Sequence, residues 1–112
     1  MKLKIATDFS KAPGPRYIGE GKHSGQEFRE QILYPRVLAA LSDKTQLTID
    51  LDGTFGFGTS FLEEAFGGLI RDNKLGIDDI LGVICFVSTE EPDLVDEIKA
   101  YMQEAASEEK RK

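Results

Sequence analysis

The sequence predicts an α/β fold: a small mixed β-sheet with helices packed mainly on one face, in the element order β-β-α-β-α-β-α. Three observations carry that expectation. Residues 2–9 and 47–51 alternate apolar and polar side chains, the period of a strand with one buried face. Residues 81–87 form an unbroken apolar run of single-strand length. Between and after these segments, three stretches space their apolar residues for helices.

At 112 residues the chain is long enough for one core and not for two. A single domain is expected over residues 1–106, followed by a charged tail, 107–112, that frays. The formal net charge of −6 argues against nucleic acid as the main partner, because binding phosphates needs a basic surface. No apolar run reaches the ~20 residues of a membrane span. The start, Met1-Lys2-Leu3-Lys4, has no signal-peptide core, so a cytoplasmic location is expected. The single cysteine, Cys85, has no internal disulfide partner and reads as a small buried hydrophobe.

In chain order, Leu3, Ile5, Thr7 and Phe9 form the inner face of the first strand. Pro13-Gly14-Pro15 forces a loop, and Arg16-Tyr17-Ile18-Gly19 reads as a short second strand, paired with the first as a hairpin. Ser24 and Glu27 fit a capping box that opens the first helix, which Pro35 should kink or restart. Leu47, Ile49 and Leu51 mark the next strand. Phe61, Leu62, Ala65, Phe66, Leu69 and Ile70 form the stripe of the second helix, with Gly67 and Gly68 inside it. Those glycines cost about 1 kcal/mol each in helix propensity and call for close packing or a close-lying partner. Ile77 and Ile80 fall in a linker, and 81–87 reads as a central strand covered on both sides. Pro92 lies in the first turn of the last helix, whose buried face runs from Leu94 to Ala105.

The functional candidate is the stretch from Gly53 to Glu64, where a strand runs into a glycine-rich turn and then a helix. Gly53, Gly56 and Gly58 let the chain reverse sharply and let another molecule approach the backbone. The helix start offers unpaired N–H groups to a hydroxyl, a phosphate or a carboxylate. The run lacks the lysine of a phosphate-binding loop and the spacing of a dinucleotide fingerprint, and Phe55 and Phe57 would crowd a nucleotide. Ser60 has two readings: N-cap of the helix through Glu63, or a hydroxyl open to phosphorylation. Asp50 and Asp52 read as a solvated strand face or as carboxylates that brace the turn. His23 is the only histidine and nothing aligns it, or Asp8, with Ser60, so no catalytic residue, metal site or cofactor is expected. The loop from Asp8 to Tyr17, basic at Arg16, reads as a crossover or as a partner contact lying near the glycine turn.

Ile49-Asp50-Leu51-Asp52-Gly53 and Gly58-Thr59-Ser60-Phe61-Leu62-Glu63-Glu64-Ala65-Phe66-Gly67-Gly68-Leu69 resemble the STAS-like domain family of small bacterial proteins. Thr7-Asp8-Phe9-Ser10 and Pro13 to Tyr17 extend the likeness. That family is distantly similar to the STAS domains of anti-sigma factor antagonists, which have a mixed sheet with helices on one side. In those, a GHKL-type ATPase phosphorylates the second serine of an Asp-Ser-Ser-Gly-Leu motif, and the unphosphorylated form binds that ATPase. The resemblance places Asp50 at the strand aspartate, Ser60 at the phosphoacceptor and Thr59 at the hydroxyl before it. Gly58 and Phe61 stand where the motif has aspartate and glycine.

The expectation is therefore a non-enzymatic signalling module that docks a GHKL-type ATPase or another regulator through the 53–60 turn and the second helix. Partner contacts are assigned to Arg16, Asp50, Gly56, Phe57, Gly58, Phe61 and Glu64, with Ser60 or Thr59 as the switch. The alternative is a small-ligand, anion or nucleotide-binding domain that uses the backbone amides at the start of the second helix. A homodimer is compatible with the pattern, through the first strand or the aromatic loop.

Overall fold

A computed structural model describes residues 1–112. Its sheet has three strands, β1 (Lys2–Lys4), β2 (Leu47–Asp50) and β3 (Ile84–Val87), in the spatial order 1-2-3. Leu3, Ile49 and Phe86 lie side by side across it. Both strand pairs are parallel, so the sheet is not mixed, as expected from the sequence, but uniformly parallel. Parallel neighbours need long crossovers, and here those are helical.

After β1 comes a single turn, α1 (Ile5–Asp8), and the long loop to Ser24. The predicted strand at 16–19 is absent, and with it the hairpin; Ile18–Glu20 forms a 3-10 turn instead. Local side chains take the backbone donors that a strand would have offered. The Tyr17 N–H donates to Glu20 Oε1 at 2.9 Å and the Ile18 N–H to Gln26 Oε1 at 3.1 Å.

The first long helix, α2 (residues 25–43), is built of α-helical Gly25–Phe28, one π turn over Arg29–Leu33 and α-helical Tyr34–Asp43. Ser24 caps it, its side chain accepting the Glu27 N–H at 2.9 Å. Pro35 falls in the first turn after the π segment, so the helix restarts where the missing N–H required it. The second, α3 (residues 59–71), repeats the design: Thr59–Leu62, a π turn over Glu63–Gly67, then Gly68–Arg71.

The apolar run 81–87 divides. Its first part ends a helix, α4 (Ile77–Val83), where the sequence reads as a linker over 77–80 and as strand over 81–83. Asp78 and Asp79 in the first turn suit the positive end of that helix. Only Ile84–Val87 is strand, and β3 is an edge rather than the centre of the sheet. Cys85 is accordingly exposed, not buried. The last helix, α5 (Asp93–Lys110), continues through most of the expected tail, and Glu109 accepts a hydrogen bond from Lys74 Nζ at 3.0 Å.

One sheet face carries the core. Leu3, Leu47, Ile49 and Ile84 are buried against Phe28, Leu33, Phe66, Leu69, Ile98 and Met102 of the helices. The other face presents Lys2, Thr48 and Cys85, half-buried or exposed. No helix is long and apolar enough to cross a membrane.

Candidate functional site

Because the strands are parallel, they all end on one side of the molecule, and the turn after β2 lies there. Asp50 closes β2. Its Oδ1 accepts the Asp52 N–H at 2.9 Å, while Lys4 Nζ stands 3.5 Å and Lys2 Nζ 3.9 Å from Oδ2. Asp52 reaches the loop after β3: it accepts the N–H groups of Thr89 at 2.9 Å and Glu90 at 3.0 Å, together with the Thr89 hydroxyl. Glu90 returns the link by accepting the Gly53 N–H at 2.6 Å. The two carboxylates of the sequence reading are thus braces of the turn. The Thr89 hydroxyl and the Glu90 N–H hold the Asp52 carboxyl below its ordinary range.

Gly53 and Gly56 have φ of +92° and +131°, backbone that other residues rarely adopt, which is why the turn needs them. Between them, the Phe55 N–H donates to the Lys11 carbonyl at 2.8 Å. That bond ties the turn to the 8–17 loop and makes the two segments neighbours. The Phe55 ring itself is 86% exposed, the most exposed of the large apolar side chains. Phe57 turns inward onto Phe61, ring centroids 5.8 Å apart, and Phe61 stacks on Phe28 at 5.8 Å. Phe9 completes the cluster at 5.2 Å from Phe28, with His23 edge-on to it.

The N-cap of α3 is Gly58, not Ser60, and no side chain caps it. Thr59 and Ser60 are therefore the first two helical residues, both exposed. Neither hydroxyl takes part in a hydrogen bond within the chain. The capping role read for Ser60 is replaced by a free hydroxyl at the positive end of a helix. Asp8 accepts the Lys4 N–H at 2.9 Å and His23 Nδ1 lies 3.3 Å from Ser10 Oγ, so both are occupied locally and neither bonds to Ser60. No group of three metal-ligating side chains comes together.

Behind the turn, the π segment of α3 carries Glu63 and Glu64 into a network of arginines. Glu64, buried, pairs with Arg29 at 2.8 Å and Arg71 at 3.3 Å. Glu63 pairs with Arg71 at 2.7 Å and with Arg16. Arg16, Phe61 and Glu64, assigned above to a partner, are thus engaged within the molecule, with Phe61 and Glu64 fully enclosed. Gly67 and Gly68 are buried too, so between 61 and 70 only Glu63 of α3 is partly exposed. What remains at the surface is the turn, with Gly58, Thr59 and Ser60.

Burial raises the Glu63 carboxyl, and hydrogen bonds from Arg71 and Arg16 outweigh it, leaving Glu63 below its ordinary value. Lowered carboxylates stabilise the fold above their unfolded pKa, and the contribution disappears as pH falls through the folded pKa. Thermal melts should hold steady near neutrality and lose midpoint below about pH 4.5, the unperturbed glutamate range. Glu63→Gln should flatten that acid limb. An unchanged limb would mean that Glu63 is not among the groups responsible.

The residue missed by sequence reasoning is Phe55. Its signal was present: an aromatic in a glycine-rich turn, flanked by Gly53 and Gly56, where neither strand nor helix continues. Fold and site together define a small α/β module with a rigid, glycine-hinged turn presented at the strand ends. The chain belongs to the family described as STAS-like domain of unknown function, whose model matches residues 24–94, more than half of its length. The match begins at the cap of α2, and β1 and the 8–17 loop lie outside it. No curated protein and no solved structure matched.

Proposed function

We propose that this STAS-like domain is a regulatory docking module whose contact surface is the 53–60 turn, with Phe55 as anchor and Ser60 or Thr59 as the phosphorylated switch. The observation that carries this reading is an aromatic ring left in water on a backbone held from three sides. Lys11, Thr89 and Glu90 fix the turn through hydrogen bonds, directly or through Asp52. A rigid exposed aromatic loses little entropy on docking and fits the chemistry of an interface hot spot. Gly58, Thr59 and Ser60 stand next to it, within one turn of helix. A phosphoryl group there would add charge at the edge of the contact while meeting the helix N-terminus. By resemblance to the anti-sigma factor antagonists, the partner is a GHKL-type ATPase that also acts as the kinase.

The rival reading, an anion or nucleotide held by the helix amides, has less support. Asp52, Glu90 and Glu91 surround the same turn with negative charge, beside a cleft lined by Leu51, Phe57 and Leu94.

Pulldown against GHKL-type ATPases of the source organism tests the proposal. Phe55→Ala should weaken capture at least tenfold, in the hot-spot range of about 2 kcal/mol, with the melting temperature nearly unchanged. Ser60→Asp should release the partner, and incubation with ATP should add phosphate at residue 59 or 60. Capture indifferent to Phe55→Ala removes the anchor; capture indifferent to Ser60→Asp removes the switch. Tight binding of inorganic phosphate or ATP by calorimetry would favour the rival.

A further inference from the structure

The two edges of the sheet are treated differently. On β1, Lys2 and Lys4 flank the edge, and Arg36 Nη1 donates to the Lys2 carbonyl at 3.2 Å. Charges of this kind discourage further strand pairing. On β3 the edge residues Ile84-Cys85-Phe86-Val87 carry no charge and no proline, and nothing pairs with them on the outer side. The Val87 carbonyl accepts the Leu51 N–H at 2.8 Å, so Cys85 and Val87 turn their backbone groups toward β2. By alternation, Ile84 and Phe86 turn theirs outward. The Ile84 N–H is taken by the Ile80 carbonyl at the end of α4. The Ile84 carbonyl, the Phe86 N–H and the Phe86 carbonyl remain, two acceptors and one donor. Beside them lies an open cleft of about 300 Å³, lined by Leu81, Ile84, Cys85, Phe86, Val95 and Lys99.

We infer that this edge binds a second copy of the chain, β3 against β3 in antiparallel fashion, joining two three-stranded sheets into one of six. A two-fold axis at Cys85 brings the Phe86 N–H of each copy to the Ile84 carbonyl of the other. The Phe86 N–H and the Ile84 carbonyl then pair twice across the axis, as an isologous contact requires, while the Phe86 carbonyl, opposite an N–H already in use, gains no bond. Charge supports the same occupant. Lys99 rims the cleft near the start of β3, and Glu91 follows its end; neither forms an ion pair within the chain. Antiparallel pairing brings the Glu91 end of each copy toward the Lys99 end of the other. The half-exposed Leu81, Phe86 and Val95 would lose water in the same step.

The full chain can be tested by sedimentation velocity over a concentration series, with cross-linking by a short bismaleimide. Cys85 is the only cysteine, and at a non-hydrogen-bonded antiparallel pair the two Cα atoms would stand about 4.5 Å apart. The expected result is a reversible dimer that cross-links through Cys85. Lys99→Glu and Glu91→Lys, both at exposed positions, should each weaken it about tenfold, and the double reversal should restore it, since two pairs are lost per dimer. A monomer at every concentration overturns the inference, as does a monomer that takes an extended peptide on this edge. A dimer that neither cross-links at Cys85 nor responds to the charge reversals also overturns it.

Discussion

Arg29→Ala should lower folding stability by about 3–5 kcal/mol, the cost of breaking a buried ion pair from one side. The guanidinium is almost wholly enclosed, and every direction it faces is answered. Its Nε donates to the Glu64 carbonyl at 3.2 Å, one terminal nitrogen to Glu64 Oε2 at 2.8 Å, and the other to Asn73 Oδ1 at 2.8 Å. Asp72 stands 3.4 Å away. Removing the arginine leaves Glu64 with only Arg71 and the more distant Arg16, in a site shut off from water, while truncation opens a cavity between α2 and α3. Urea denaturation of the variant reads the loss directly. A double variant, Arg29→Met with Glu64→Leu, should recover most of it, because an apolar pair of similar volume carries no desolvation cost. A single variant within about 0.5 kcal/mol of wild type would show that the pair is not holding the helices together.

Gly68→Ala should destabilise by about 2–3 kcal/mol, against the usual sign for a helix interior. Alanine normally gains about 1 kcal/mol over glycine in a helix. Here a Cβ would stand 2.9 Å from Arg29 Cδ and closer still to Nε, atoms that the network just described fixes in place. Gly82 in α4 is the internal control. A Cβ there meets nothing within 4 Å, so Gly82→Ala should stabilise by about 0.5–1 kcal/mol. Opposite signs for the two substitutions in thermal or urea unfolding would separate steric need from propensity. Two changes of the same sign would refute the account. Gly67 is constrained by its own helix, since a Cβ would lie 2.6 Å from Glu63 Oε2. The glycine pair is explained by a buried ion network and needs no external partner.

Much of the site was legible because it is local. Glycines at 53, 56 and 58 announced a turn between a strand and a helix, and Ser24 with Glu27 announced a cap. The family resemblance, read from residues 7–17 and 49–69, holds over 24–94, which includes the second stretch and leaves the first outside. What misled was the part that depends on neighbours distant in sequence. Seven apolar residues in a row do not say whether they form a strand, a helix or half of each, and Leu81 to Val83 went to the helix. A serine three residues before a glutamate suits a cap wherever it falls, yet Gly58 already had the extended backbone of one. Aromatic residues at 55, 57 and 61 look alike in sequence. Packing on Phe28 and Phe9 buried Phe61, packing on Phe61 half-buried Phe57, and Phe55 was left in water.

The sequence by itself determined the α/β class of the fold, the three long helical stretches, and the segment through which it acts in our proposal. Those follow from short-range rules: the period of two or of 3.6, the torsions open to glycine, the missing N–H of proline. Only the tertiary structure decided that the sheet is parallel, that β3 is an edge, that Glu64 pairs inward with Arg29, and that Phe55 is the ring exposed to solvent. Each of those rests on contacts between residues some 35 or more positions apart, or on their absence, and such contacts are set by how the helices close over one face of the sheet.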